Sequence, residues 1–222
     1  MSGRVNRTLG SRRSLKIIRD KDMPGINEVL VSRNIYSESD FNQLYPLSVR
    51  ELDRYHWTPL SLAKKAAAFL TPREGLRVLD IGSGVGKFCL AAACYFPDAF
   101  YYGVEQRKWL CDYAQAARVR LGLENVCFIH GNFTQLDLRN FDSFYFYNSF
   151  YENLSGINKI DDSIEYSVQL YNYYSWYLFK QLRQKPKGTR LCTLCSSEDE
   201  VPPDFHVVGT DMNDLLKFWI KV

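Results

Sequence analysis

No stretch of the 222 residues stays apolar over the roughly 18–20 positions that a bilayer-spanning helix needs, so no membrane span is expected. The first residues also lack the apolar core, about 7–15 residues long, of a secretory signal. Metal-binding patterns are missing too. Cys192 and Cys195 form a lone C-x-x-C, with no second pair and no His-x3-His partner, so no zinc site or other metal is expected. The six cysteines (Cys89, Cys94, Cys111, Cys127, Cys192, Cys195) fall in apolar helical or strand-like stretches rather than a loop framework, which reads as reduced core thiols in a cytoplasmic protein. No internal repeat or low-complexity tract occurs. A chain 46% hydrophobic and of this length then suits one globular α/β domain with an N-terminal appendage.

Charge is placed unevenly. Residues 1–21 carry seven basic side chains (Arg4, Arg7, Arg12, Arg13, Lys16, Arg19, Lys21) against Asp20 alone. The rest of the chain holds 21 basic and 24 acidic residues, so the overall +3 comes from this arm. A basic, Ser-bearing arm suits contact with a polyanion, a targeting role, or a plain solvated terminus.

Polar punctuation divides residues 22–57 into helical pieces, "INEVLVSRNI" and "SESDFNQLYPLSVRELDRY", with Ser39 and Ser48 as expected N-caps. In "TPLSLAKKAAAFL" Thr58 is the expected cap and Pro59 the first helical residue, with Leu62, Ala66 and Phe69 on the buried stripe. Alternation follows. "RVLDIG", "FYYGVE", "VCFIHG", "DSFYFYNSF" and "TRLCTLCS" read as strands, and "KFCLAAACYF", "KWLCDYAQAARVRLG" and "SIEYSVQLYNYYSWYLFKQLRQ" as helices. "FHVVGT" and "LLKFWIKV" close the chain as two strands with no helix between them. This pattern predicts an α/β fold with a doubly wound seven-stranded sheet, mostly parallel with an antiparallel last strand. The domain reading is a basic arm at 1–21, a helical extension at 22–57 and the α/β domain at 58–222.

"VLDIGSGVGKF" carries the chemistry. Gly82, Gly84 and Gly86 permit a tight turn at the end of the first strand and let a ligand approach the backbone. No GKS or GKT follows, which excludes a P-loop. Asp80, two residues before the first glycine, can accept from a cationic amine and would repel a dinucleotide pyrophosphate. Glu105 ends the second strand, where its two oxygens can accept both hydroxyls of a ribose. Acid, glycines and acid together favour a nucleoside bearing an amino-acid chain, S-adenosylmethionine, over a nicotinamide dinucleotide.

"VLDIGSGVGKF", "YYGVE", "GNF" and "FYFYNSF" resemble the successive motifs of the class I S-adenosylmethionine-dependent methyltransferases, over roughly residues 56–222. The resemblance implies a Rossmann-like fold and S-adenosyl-L-methionine as cofactor. It places Asp80, Gly82, Ser83, Gly84 and Gly86 at the methionine end, Glu105 and Gln106 at the ribose, and Asn132 and Phe133 at the adenine. "HWTPLSLA" is similar to the "YTPxxVA" segment of amino-methyltransferases acting on nucleic acid, which places Thr58 beside the cofactor's carboxylate. "NSFY" stands where those enzymes have "NPPY", with neither proline kept. "DIGSGVG", "YGVE", "GNF" and "NSF" are also similar to the non-SET histone-lysine methyltransferases. Both likenesses imply a nitrogen acceptor on protein or nucleic acid, with Asn148 orienting it and Tyr151 stacking on the substrate or flanking the transferred methyl. A small-molecule acceptor and a non-catalytic cofactor-binding module are the alternative readings. His56 reads as a packing histidine or a general base, and His130 as structural. The aromatic run at 171–179 reads as sheet packing, and the polar stretch 152–162 as a lid.

Overall fold

The computed structural model describes residues 37–154, 156, 157 and 159–222. The basic arm at 1–21 and the expected helix in "INEVLVSRNI" lie outside the described residues. Three short helices come first, α1 (Glu38–Asn42), α2 (Leu47–Arg50) and α3 (Asp53–His56), followed by α4 (Leu60–Leu70). The alternating part then runs β1 (Arg77–Ile81), α5 (Lys87–Tyr95), β2 (Phe100–Glu105), α6 (Lys108–Arg120), β3 (Val126–His130) and β4 (Ser143–Tyr147). It ends with α7 (Val168–Arg183), β5 (Arg190–Leu194), β6 (Phe205–Asp211) and β7 (Leu216–Lys221).

The strands form one seven-stranded sheet in the order β3-β2-β1-β4-β5-β7-β6. All neighbours are parallel except β7, which is antiparallel to both β5 and β6. The tight turn Met212, Asn213, Asp214, each with φ between 52° and 64°, leaves no length for a crossover, so β7 must return beside β6. Side chains alternate across the sheet. Val78, Tyr101 and Tyr145 face the core formed with α4 and α5, whereas Leu79, Ile81, Phe144 and Phe146 face the core under α7. β1, β4 and β5 are buried almost throughout and read accordingly as continuous apolar runs. β3 is an edge strand, and Cys127 on it is exposed rather than a core thiol. Cys94 and Cys195 are half-buried, and all six thiols are free.

The segment before α4 is part of the first core. Phe41, Tyr45, Val49 and Trp57 are buried there with Val85 and Phe88, and the Tyr45 hydroxyl donates to the Val85 carbonyl at 2.9 Å. Lys87, in the first turn of α5, donates to Asp53 Oδ1 at 2.7 Å and pairs with Glu38 Oε2 at 2.6 Å.

Helix starts correct three expected caps. Ser37, not Ser39, caps α1, accepting from the Asp40 amide at 3.1 Å and donating to the Asp40 carboxylate at 2.7 Å. That reciprocal pair needs an acid three residues after the cap, which only Ser37 has. Ser48 lies inside α2, whose N-cap is Pro46. Pro59 is itself the N-cap of α4. Thr58 is turned inward instead, its hydroxyl 2.9 Å from that of buried Tyr145, a group that needs a partner in the core. Helix α7 starts later than the apolar pattern suggests, at Val168, with Ser167 accepting from the Leu170 amide.

Candidate active site

The order of strands puts a crevice at the carboxyl ends of β1, β2 and β4, because the chain steps from β1 outward to β3 and then returns to the other side of β1. A cleft of about 300 Å³ opens there. Its floor is the glycine turn. The amides of Gly82 and Ser83 both donate to the Val104 carbonyl, at 2.9 and 3.0 Å, which pins the turn to the end of β2.

The glycines do different work. A Cβ on Gly86 would lie 2.3 Å from Phe128 Cζ, so this residue is small in order to pack, and its left-handed φ of 83° starts α5. A Cβ on Gly84 would meet nothing within 4 Å, and Gly84 lines the cleft. It is the open position of the turn. Gly103 in the middle of β2 belongs to the same assembly: a Cβ there would fall 2.6 Å from Ser83 Oγ. A glycine inside a strand was the available signal for that close approach.

Glu105 is buried at the end of β2. One carboxylate oxygen accepts from the Gly84 amide at 3.0 Å and the other from the Arg107 amide at 2.8 Å. Burial pushes its carboxyl above the usual range, while those amides and the Arg107 guanidinium hold it down. Each oxygen keeps a second lone pair for a further donor. Gln106 lines the cleft beside it. Phe133 also reaches the cleft, stacked on Phe150 with centroids 5.2 Å apart. Asn132 is engaged elsewhere. Its amide oxygen accepts from the Thr134 amide at 3.0 Å, and its nitrogen donates to Gln106 Oε1 at 3.1 Å and the Tyr174 hydroxyl at 2.8 Å. The side chain therefore braces the end of β3.

Beyond β4, Asn148 takes a left-handed φ of 49° and lines the cleft. Asparagine tolerates that conformation better than most residues. Its Oδ1 is buried with no hydrogen-bond partner, as is Ser83 Oγ in the glycine turn. Ser149 donates to the Ile81 carbonyl, tying the end of β4 to the end of β1. Tyr151 lines the cleft with its ring 5.9 Å from that of Tyr171.

Asp80 and Thr58 sit apart from these groups. Both line a recess of about 30 Å³ that shares His56, Trp57 and Gly82 with the main cleft. Asp80 is 3% exposed, with Cys89 Sγ 3.7 Å from its Oδ2, and burial pushes its carboxyl up to about 8. Burial lowers the His56 pKa. His130 is exposed, its ring nitrogen 3.1 Å from the Gln106 carbonyl. Among the described residues, no grouping of three or more His, Cys, Asp and Glu could hold a metal ion.

A family model for a methyltransferase domain matches residues 72–214, well over half of the chain. The chain belongs to that family. The tRNA (guanine-N(7)-)-methyltransferase of Synechococcus sp. (strain JA-3-3Ab) is 50% identical to this methyltransferase over 54 residues, 24% of this chain and 23% of the relative. The one of Prochlorococcus marinus (strain NATL1A) is 33% identical over 84 residues, 38% and 39% of the two chains. The methyltransferase thus spans less than half the length of the curated relatives it matches. Among solved structures, an RNA methyltransferase from Salinibacter ruber in complex with S-adenosyl-L-homocysteine superposes with a TM-score of 0.55 at 19% identity, over 74% of this chain and 93% of that one. TrmN from Thermus thermophilus gives 0.53 at 19% identity, over 78% and 52%. These two share the fold.

The cleft of this methyltransferase domain lies at the carboxyl ends of the strands, where open α/β sheets place their ligands. Asn148 Oδ1 on the cleft is buried without a hydrogen-bond partner, as is Ser83 Oγ beside the small recess, and the turn is open at Gly84. Glu105 presents free lone pairs beside it. Arg107, which the sequence reading did not single out, anchors a cluster of acids at the same place: Glu105, Glu152 and Asp161. A lone arginine after a strand-end acid carries no signal until those acids are brought to it.

Proposed function

We propose that the enzyme methylates a nitrogen of a nucleic-acid base, and that Asn148 orients that acceptor. The observation that carries this reading is the buried, unpartnered Asn148 Oδ1 on the cleft that Glu105 and Gly84 also line. An amide offers one acceptor and one donor group in a plane, which matches the polar edge of a base. Tyr147 and Tyr151 line the same cleft and offer flat faces for stacking. The local likeness to tRNA (guanine-N(7)-)-methyltransferases supports the same acceptor class.

In this reading Glu105 accepts from the ribose hydroxyls, Phe133 flanks the adenine, and Asp80 pairs with the cationic amine of the methionine end. Thr58, Gly82, Ser83, Gly84 and Gln106 complete the contact set, Gly86 shapes the turn by packing on Phe128, and Asn132 supports the set through Gln106. S-Adenosylmethionine, when bound, supplies an electrophilic methyl group on sulfur. The protein's part is positioning: Asn148 Oδ1 accepts from an N–H on the edge of the base and so turns the reacting nitrogen's lone pair into the cleft, while Tyr151 shields the site from water. Such positioning accounts for a large share of the barrier reduction in a transfer that asks for no protein nucleophile.

The test is to incubate the protein with methyl-labelled cofactor and, separately, mixed tRNA, core histones and a small-molecule extract. Label is expected in RNA. Asn148→Ala should lower that incorporation about 10²-fold while cofactor affinity changes less than about tenfold, with Asn148→Asp milder. Label in histones alone, or full incorporation by Asn148→Ala, overturns the reading.

A further inference from the structure

Arg107 touches both halves of the cleft wall. Its main-chain N–H donates to Glu105 Oε1 at 2.8 Å. Its guanidinium, only 6% exposed, reaches in the other direction, into the connection between β4 and α7. There it donates to Glu152 Oε2, to Asp161 Oδ1 at 3.1 Å and to the Tyr166 hydroxyl at 2.5 Å. Trp109, in the first turn of α6, which Arg107 precedes as N-cap, donates to Asp161 Oδ2 at 2.6 Å.

The acids are anchored in turn. Glu152 Oε1 accepts from the Ile160 amide at 3.0 Å, and the Tyr166 hydroxyl donates to the Asp161 carbonyl at 2.6 Å. These bonds hold Ile160 and Tyr166 in the wall of the cleft that Gly84 and Glu105 also line. A buried guanidinium among three carboxylates is costly unless every group is hydrogen-bonded, and here each acid has a second partner. Among its described residues, the β4–α7 connection carries no strand and no helix longer than the three-residue turn Tyr151–Asn153. Long connections of that kind in compact domains are commonly functional.

We propose that Arg107 is a positioning residue for the cofactor, setting the Glu105 carboxylate with its main chain and latching Glu152, Asp161 and Tyr166 over the cleft with its side chain. The proposal rests on the reading of Glu105 as the ribose acceptor. Cofactor entry and exit then require the Arg107 contacts to open, and the latch governs residence time.

The experiment is hydrogen exchange on the ligand-free full chain, with calorimetric affinity for S-adenosylmethionine measured on the same preparations. The variants are Arg107→Met, Arg107→Lys, and Arg107→Met combined with Glu152→Gln, which relieves the unpaired charge. Exchange across residues 159–166 is expected to rise tenfold or more in both variants carrying Met, with β1 and β4 unchanged. Affinity should weaken about 10–100-fold, and Arg107→Lys should recover part of both effects. Unchanged exchange at 159–166 in the double variant overturns the proposal. So does raised exchange with unchanged affinity, or exchange that rises equally in β1 and β4. Glu105→Ala separates the underlying reading: if it binds the cofactor normally, the ribose assignment falls, while the exchange data still report on the latch.

Discussion

At the scale of single residues, the cleft depends on two features with opposite tolerance. Glu105 is specified by chemistry: two amides fix its rotamer and leave lone pairs for a ligand. Glu105→Ala should weaken S-adenosylmethionine binding about 10–100-fold, on the order of 1.5–3 kcal/mol for lost bonds to an ionised acceptor. Calorimetry that finds equal affinity in mutant and wild type would remove Glu105 from the ribose. Gly84 is specified by space. Gly84→Val fills an opening that no protein atom occupies and adds roughly 1–2 kcal/mol of left-handed backbone strain, so the domain should fold yet lose cofactor binding. A folded Gly84→Val protein with normal affinity would show that the cofactor does not approach this turn.

At the scale of elements, the start of α5 joins the glycine turn to the segment at 37–57. Gly86 cannot accept a side chain, since Phe128 Cζ stands 2.3 Å from where a Cβ would be. Gly86→Ala should therefore cost at least about 2 kcal/mol through overpacking, several degrees in Tm, whereas Gly84→Ala should cost far less. Equal melting temperatures for the two variants would refute this division of labour. Lys87 sits next in sequence with its ammonium buried against Asp53 and Glu38. It carries positive charge at a helix N-terminus, which the macrodipole disfavours, so its two acids must account for its presence. Lys87→Met should free residues 37–57 to limited proteolysis while the sheet stays protected, at a cost of about 2–3 kcal/mol. Cleavage patterns identical to wild type would show that apolar packing by Phe41, Tyr45 and Trp57 suffices.

At the scale of the whole molecule, Asp80 makes stability depend on pH. Burial raises its folded pKa to about 8, well above its unfolded value. Between about pH 4 and pH 8 the folded state keeps a proton that the unfolded chain has lost. Stability from this residue therefore falls as pH rises through that window, and is flat on either side. Asp80→Asn should remove the slope and raise Tm near pH 8 by several degrees, a few kcal/mol, while weakening cofactor binding. Thermal melts of the two proteins from pH 4 to pH 9 give the difference directly, and parallel curves would refute it. A cationic amine beside Asp80 should also drive proton release on binding, which calorimetry in buffers of different ionisation enthalpy detects. No helix among the described residues is long and apolar enough to cross a membrane.

Much of this was legible in the chain itself. Alternation of buried strands with helices, the hairpin ending and the acid–glycine–acid spacing are local patterns, because strand period, left-handed turns and strand-end acids are set by residues near in sequence. The turn before β7 even selected its antiparallel direction. What the chain alone left open depended on groups distant in sequence. One miss was local: the expected cap Ser39 lacks the acid three residues on that Ser37 has in Asp40. Thr58 looked like a cap until Tyr145, 87 residues away, claimed its hydroxyl. Asn132 reads as an adenine contact, and the bonds of its amide to Gln106 and Tyr174 come from partners 26 and 42 residues away. Arg107 had no signature at all, since its acids come from β2 and from a connection some fifty residues further on. Local sequence settles which elements form and where the glycines turn. The fold decides which polar atoms satisfy one another and which, like Asn148 Oδ1 and Ser83 Oγ, stay without a protein partner, because a hydrogen bond goes to whichever group the packing brings close.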